Sequence, residues 1–214
     1  MDNNMNNNST RRIIVKSGRG EYEEKKSRFI GQAFAISSSS EAEEIIERIS
    51  KEYWDARHNC YAYVLGERNE ITRCSDNGEP SGTAGRPILD VLTTSGLSDA
   101  LIIVTRYFGG TLLGTGGLVR AYTAAAKASL EDADVAELKI GVILQVTIAY
   151  SFLDKIQHSL SQMGLELSNP VYGADVSFDV TVTTDKADEL EKTITGITGG
   201  RAMIVKGKED YYPV

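Results

Sequence analysis

Residues 26–36 (KSRFIGQAFAI) alternate imperfectly between apolar and polar positions, which predicts a strand. The serines at 37–40 then offer capping hydroxyls ahead of EAEEIIERISKEY, where Ala42, Ile45, Ile46 and Ile49 recur at helical spacing. Period two returns at 58–65 (HNCYAYVL). His58, Cys60, Ala62 and Val64 share one face of that strand, and Asn59, Tyr61, Tyr63 and Leu65 share the other. A turn at 66–69 leads to a return strand at 70–75. Pro87 stands at a first-turn position and Gly96 at a stop, so 86–95 reads as a short helix. The unbroken apolar run ALIIVT at 100–105 predicts a buried central strand, and an alanine-rich helix at 118–132 opens from the glycines at 114–117.

Beyond Asp134 the rhythm changes. Ile140, Val142, Leu144, Val146 and Ile148 alternate through a strand at 139–150. A helix at 151–163, capped by Ser151 and ended by Gly164, follows it. Paired strands at 165–170 and 175–184 flank a turn at Tyr172 and Gly173, before a helix at 185–195 and a strand at 201–206. This βαββαβ order is the ferredoxin-like pattern. The chain thus reads as α+β throughout. It has a tail at 1–10, a first domain at 11–135 and a ferredoxin-like domain at 136–210, joined by a very short linker near Asp134–Glu137. The tail, MDNNMNNNST, is polar and Asn-rich, a composition expected to be disordered.

Composition is that of a soluble globular protein, with 41% hydrophobic and 25% charged residues. No apolar run approaches a membrane span, and two cysteines, Cys60 and Cys74, fit a reducing cytoplasm better than a disulfide framework. The net charge of −7 argues against a protein held on nucleic acid by bulk electrostatics. Locally the balance shifts. Seven basic residues, six of them arginine, face six acidic ones between Arg57 and Lys127. A bound polyanion would therefore meet a confined site in the first domain.

Two strings, SDNGEPSGTAGRPIL at 75–89 and TRYFGGTLLGTGGLVRAY at 105–122, hold eight of the chain's 20 glycines and three arginines. Each feeds a helix N-terminus, where free N–H groups attract anions and glycine lets a phosphate approach. The candidate anion- or nucleic-acid-binding set is Gly82, Gly85, Arg86, Arg106, Gly109, Gly110, Gly116, Gly117, Arg120 and Lys127. Tyr61, Tyr63 and Tyr107 are candidates for base stacking, and Phe108 flanks the same loop as Tyr107. Asp76 and Glu79 stand either as an acid–base pair or as structural partners of Arg86 and Arg106. Neither string is a phosphate loop or a dinucleotide fingerprint. His58, Cys60 and Cys74 fall short of four zinc ligands, so no metal or other cofactor is expected, and no catalytic residue is assigned.

The two strings resemble the signature of the YigZ/IMPACT family, and the likeness extends through KSRFIGQAF and HNCYAYVLG to cover nearly the whole chain from about Val15. The resemblance implies a first domain of the ribosomal protein S5 domain 2-like type. It also implies a second domain similar to the last domain of elongation factor G, a translocase that contacts ribosomal RNA. Where the family motif more often shows two aspartates, this chain has Asp76 and Asn77. The expected function is non-enzymatic, cytoplasmic and translation-associated, with RNA, the ribosome or a translation factor as partner. Two alternatives stay open: an enzyme acting on a phosphorylated small molecule, and a protein-interaction module.

Overall fold

The computed structural model describes residues 10–213, which divide into two compact units, 11–137 and Leu138 onward. All of the expected disordered tail except Thr10 lies outside the described residues. No described helix is long and apolar enough to cross a membrane.

The first unit runs β1 (Arg11–Lys16), β2 (Gly18–Glu24), β3 (Ser27–Ala35), α1 (Ser39–Glu52), β4 (His58–Leu65), β5 (Ile71–Ser75), α2 (Gly85–Ser95), β6 (Ala100–Tyr107) and α3 (Gly114–Glu131). Five strands make one antiparallel sheet in the order β2-β3-β6-β4-β5, with the ALIIVT run at its centre. Alternation along β4 sorts the core into two layers. Cys60, Ala62 and Val64 pack with Ile88 and Leu92 of α2 and Ala121 and Tyr122 of α3. Tyr61, Tyr63 and Leu65 pack instead with Ala42 and Ile49 of α1. The sheet is therefore covered on both faces. Ser38 caps α1 by accepting from the Glu41 amide at 3.2 Å, while the Glu41 carboxylate accepts from the Ser37 amide and hydroxyl at 2.7 Å.

Strands β1 and β2 have no counterpart in the periodicity, and β2 shows why. Its inward positions are Gly18, Gly20 and Tyr22, so two inward residues carry no hydrophobic side chain. Glycine is required there by distance. A Cβ on Gly18 would lie 2.2 Å from the Ser129 carbonyl oxygen, and one on Gly31 of β3 would lie 2.2 Å from that of Ala125. The alanine-rich helix α3 thus rests almost backbone to backbone on the sheet.

The division between the units falls inside β7 (Asp134–Ile148), so the expected linker is the opening of a strand. In the first unit β1 lies beside that opening, where Arg12 reaches Glu137 at 4.0 Å and Lys16 reaches Asp134 at 3.8 Å.

The second unit continues with α4 (Leu153–Gln162), β8 (Leu167–Tyr172), β9 (Val176–Thr183), α5 (Thr184–Thr198), β10 (Met203–Lys206) and β11 (Asp210–Pro213). The strands pair antiparallel in the order β10-β7-β9-β8, which with the βαββαβ chain order is the ferredoxin-like fold. Val142, Leu144, Val146 and Ile148 alternate inward beneath Ile156 and Leu160 of α4 and Leu190 and Ile194 of α5. Ser151 is not a cap: it sits in a single 3-10 turn, Tyr150–Phe152, and α4 starts after it. Strand β11 extends the edge past β10 by pairing with residues 138–141 of β7.

The close approach of α3 makes a measurable prediction. Gly31→Ala should lower stability by about 1–3 kcal/mol or more, because the added methyl meets helix backbone and not a yielding side chain. Gly196→Ala, on the exposed face of α5 with nothing within 4 Å of the added methyl, should instead raise it by roughly 0.5–1 kcal/mol. Denaturant midpoints of the two variants read both effects.

Candidate functional site

Antiparallel pairing fixes which loops meet. Strands β3 and β4 begin, and β2, β5 and β6 finish, at one end of the first unit's sheet. Both glycine-rich strings are connections at that end, leading from β5 into α2 and from β6 into α3. Each string does lead into a helix N-terminus, as expected; that the two meet at one end of the sheet is a finding of the structure, and their chemistry differs from the expectation.

Asp76 occupies the cradle. Its carboxylate accepts from the backbone amides of Gly82 at 2.8 Å, Ala84 at 2.9 Å and Gly85 at 2.8 Å. Helix α2 has no side-chain cap from its own Ncap residue, Ala84, so Asp76 supplies the negative charge that its N-terminus favours. The anion site expected at Gly82 and Gly85 is thus filled from within the chain. Burial pushes the Asp76 pKa up, but the three N–H donors outweigh it and hold the carboxyl below its ordinary value. Gly85 is also packed against the Ser75 backbone, 2.7 Å from where its Cβ would stand, leaving no room for a phosphate on that side.

Beneath this loop lies a buried ionic cluster. The side chains of Arg106 and Glu79 are 7% and 3% exposed and pair at 2.5 Å. The same Glu79 oxygen accepts from the Tyr122 hydroxyl at 2.9 Å. Cys60 donates to the Asp76 carbonyl at 3.0 Å and to the Tyr122 hydroxyl at 3.3 Å. Arg106 also reaches Ser27 Oγ at 3.5 Å and stacks over Phe29 and Phe108. Contrary to its place in the candidate anion-binding set, Arg106 does not project toward an external anion; it is the internal counter-ion of Glu79, the structural alternative given for that pair. Burial pushes the Cys60 thiol up to about 12 and the Tyr122 hydroxyl higher still, so both stay protonated at neutral pH. Among the described residues no three His, Cys, Asp or Glu side chains gather to hold a metal ion.

The remaining glycines shape backbone. Gly109 abuts the β2–β3 turn, where a Cβ would lie 2.0 Å from the Lys26 carbonyl carbon, and its amide donates to Ser27 Oγ at 3.1 Å. Gly110 and Gly116 are exposed, and Gly117 is buried against Leu113. Arg120 is exposed and lies near Gly116, close to the first turn of α3. Arg86 is exposed and pairs with Asp90 at 2.8 Å, the structural alternative foreseen for it. Lys127 is exposed on α3. Tyr63 is 4% exposed and Tyr61 is packed against the same layer, so the pair belongs to the core under α1 and offers no stacking face. Tyr107 alone of the three reaches the loop end, half-buried, donating to Asp55 at 2.8 Å.

That loop end carries Phe108, named with Tyr107 from the sequence, and others which the periodicity passes over. Trp54, the chain's one tryptophan, is 81% exposed between α1 and β4, and Phe108 is 51% exposed after β6. Lys25 and Lys26 form the β2–β3 turn and Arg57 precedes β4; all three are exposed and have no acidic partner within 4.0 Å among the described residues. The available signal was the string YWDAR, a tryptophan just after the last periodic residue of a helix, where no core position is called for.

Two outcomes follow from the buried charges. Glu79→Gln should cost about 3–5 kcal/mol by stranding a buried guanidinium, and adding Arg106→Met should restore much of it. Asp76→Asn should cost about 1–2 kcal/mol at neutral pH. Because the folded pKa of Asp76 is depressed, its contribution is full above the unfolded value and fades as pH falls below about 4. Urea titrations of wild type and variant should therefore converge under acid conditions.

Residues 25–130 match the Impact N-terminal domain, and residues 146–201 match a domain of unknown function, DUF1949. The chain is 38% identical to IMPACT family member YvyE of Bacillus subtilis over 92% of this chain and 91% of that one. It is 33% identical to IMPACT family member YigZ of Escherichia coli, over 86% and 92% of the two chains. A crystal structure described as that of an hypothetical protein superposes with a TM-score of 0.59 at 31% identity, covering 92% of this chain and 96% of the other. With both domains matched and sequence identity running through almost its whole length, the chain belongs to the IMPACT family.

Proposed function

We propose that the protein is a translation-associated, non-enzymatic RNA-binding protein that meets ribosomal RNA with the loop end of its first unit. The observation that carries this reading is the exposure of Trp54 and Phe108 beside Lys25, Lys26 and Arg57, cations without an acidic partner among the described residues, at one end of one sheet. Unstacked bases bind on aromatic faces, and nearby cations hold the phosphates between them. A net charge of −7 is compatible with such a site because the cations involved are local, while acidic residues elsewhere discourage indiscriminate binding. Family membership supports the translation setting. The enzymatic alternative loses its acid–base candidates: Asp76 is held by three backbone amides, and Glu79 by Arg106 and Tyr122.

Filter binding of ribosomal RNA over a salt series tests the reading. Trp54→Ala and Phe108→Ala should each weaken binding by roughly 5- to 150-fold, the range for about 1–3 kcal/mol of lost stacking. Lys25→Ala with Lys26→Ala should flatten the log–log salt slope by roughly 0.7 for each phosphate no longer neutralised. Binding without a salt slope, or untouched by both aromatic substitutions, overturns it.

A further inference from the structure

The other large feature of the first unit lies along its helices. A groove of about 590 Å³ runs between α2 and α3, with Pro87, Val91, Val119 and Leu130 giving it apolar surface. Its polar border is Arg86 and Asp90 on α2, Lys127 and Glu131 on α3. We propose that this groove receives an amphipathic helix of a partner protein, carrying acidic residues in its first turns and running antiparallel to α2 and α3.

Direction comes from topology. Strands β5 and β6 are both antiparallel to β4 and so run the same way, and each leads into its helix at the loop end. The two helices therefore present their positive N-terminal ends together and their negative C-terminal ends together. A third helix seated between them is favoured with its dipole reversed, its N-terminus at the Glu131 end.

Charge supports the same orientation. On α2 the rim neutralises itself, since Arg86 and Asp90 pair at 2.8 Å. On α3 it does not: Lys127 and Glu131 are four apart, in the weaker lysine-first order, and are not within 4.0 Å of each other. Glu131 suits the positive start of an incoming helix, and Lys127, one turn back along the groove, suits a carboxylate in that helix's first turns. The walls fit an apolar stripe, the mode by which grooves between helices take a helix. RNA is disfavoured in this groove, since its phosphates would lie against Val91, Val119 and the carboxylates of Asp90 and Glu131.

The groove reaches the loop end at Gly82 and Arg86 but takes no lining from Trp54, Phe108, Lys25, Lys26 or Arg57, and one experiment distinguishes the two sites. Two fluorescein-labelled 16-residue helical peptides share one leucine stripe, one bearing glutamates and the other lysines in the first two turns. Titrated with the full-length protein and followed by fluorescence polarisation, the acidic peptide should bind at least tenfold more tightly. Lys127→Glu should reverse that preference. Val119→Asp, at a position 37% exposed and so compatible with folding, should weaken the acidic peptide at least tenfold. Trp54→Ala with Phe108→Ala should leave peptide binding unchanged. Equal affinity for both peptides, no binding of either, or indifference to Lys127→Glu and Val119→Asp overturns the proposal. So does a dimer in sedimentation that Val119→Asp dissolves, since a second copy would then be the occupant, or displacement of the peptide by ribosomal RNA.

Discussion

The carboxylate of Asp76 ties the β5–α2 loop to itself, and much of the first unit is built on that closure. Three amides at the start of α2 and in the loop before it converge on one side chain, which fixes where α2 begins. The same turn brings Glu79 under the loop, with its amide donating to the Asp76 carbonyl at 2.9 Å and its carboxylate meeting Arg106. That carbonyl also accepts from Cys60, and the neighbouring Asn77 carbonyl lies 2.9 Å from His58 Nδ1. A single acidic residue thus connects a strand end, a helix start and a buried ion pair. Placing Arg106 in the interior is costly unless its charge is matched, and Glu79, Ser27 and two aromatic rings surround it to that end.

The second constraint is distance between backbones. Helix α3 lies so close to β2 and β3 that Gly18, Gly20 and Gly31 admit no side chain, and the helix answers with Ala125, Ala128 and Ser129. The contact gains little from hydrophobic area and depends on fit. The outward face of α3 borders the groove shared with α2.

Legibility in the sequence followed the same physics. Strand β4, the central β6 and the βαββαβ second unit are readable because their side chains alternate or run apolar as their surroundings demand. Strand β2 is hidden because glycine, and not a hydrophobic residue, fills its inward positions. The glycine–arginine strings were legible as helix entrances, but that both lie at one end of the sheet follows from strand pairing that periodicity does not reveal. Their use was not legible. An arginine after a buried strand looks the same in sequence whether it leaves the protein or turns back onto a glutamate 27 residues upstream. Tyr61 and Tyr63 show the complementary limit: period two shows that they share a face, but only α1 decides that the face is covered.

This separation bears on how the family signature relates to function. Residues that make the strings distinctive are largely consumed by the fold: Asp76 by amides, Glu79 and Arg106 by each other, Gly85 and Gly109 by neighbouring backbone. What the molecule exposes to others lies beside them, in Trp54, Phe108, the Lys25–Lys26 turn and the helical groove. The side chains of Trp54, Lys25 and Lys26 make no ion pair or hydrogen bond among the described residues and are free to follow the partner, while Phe108 also keeps a face against Arg106. The signature therefore specifies a rigid junction, and the chemistry of recognition is set by residues mounted around it.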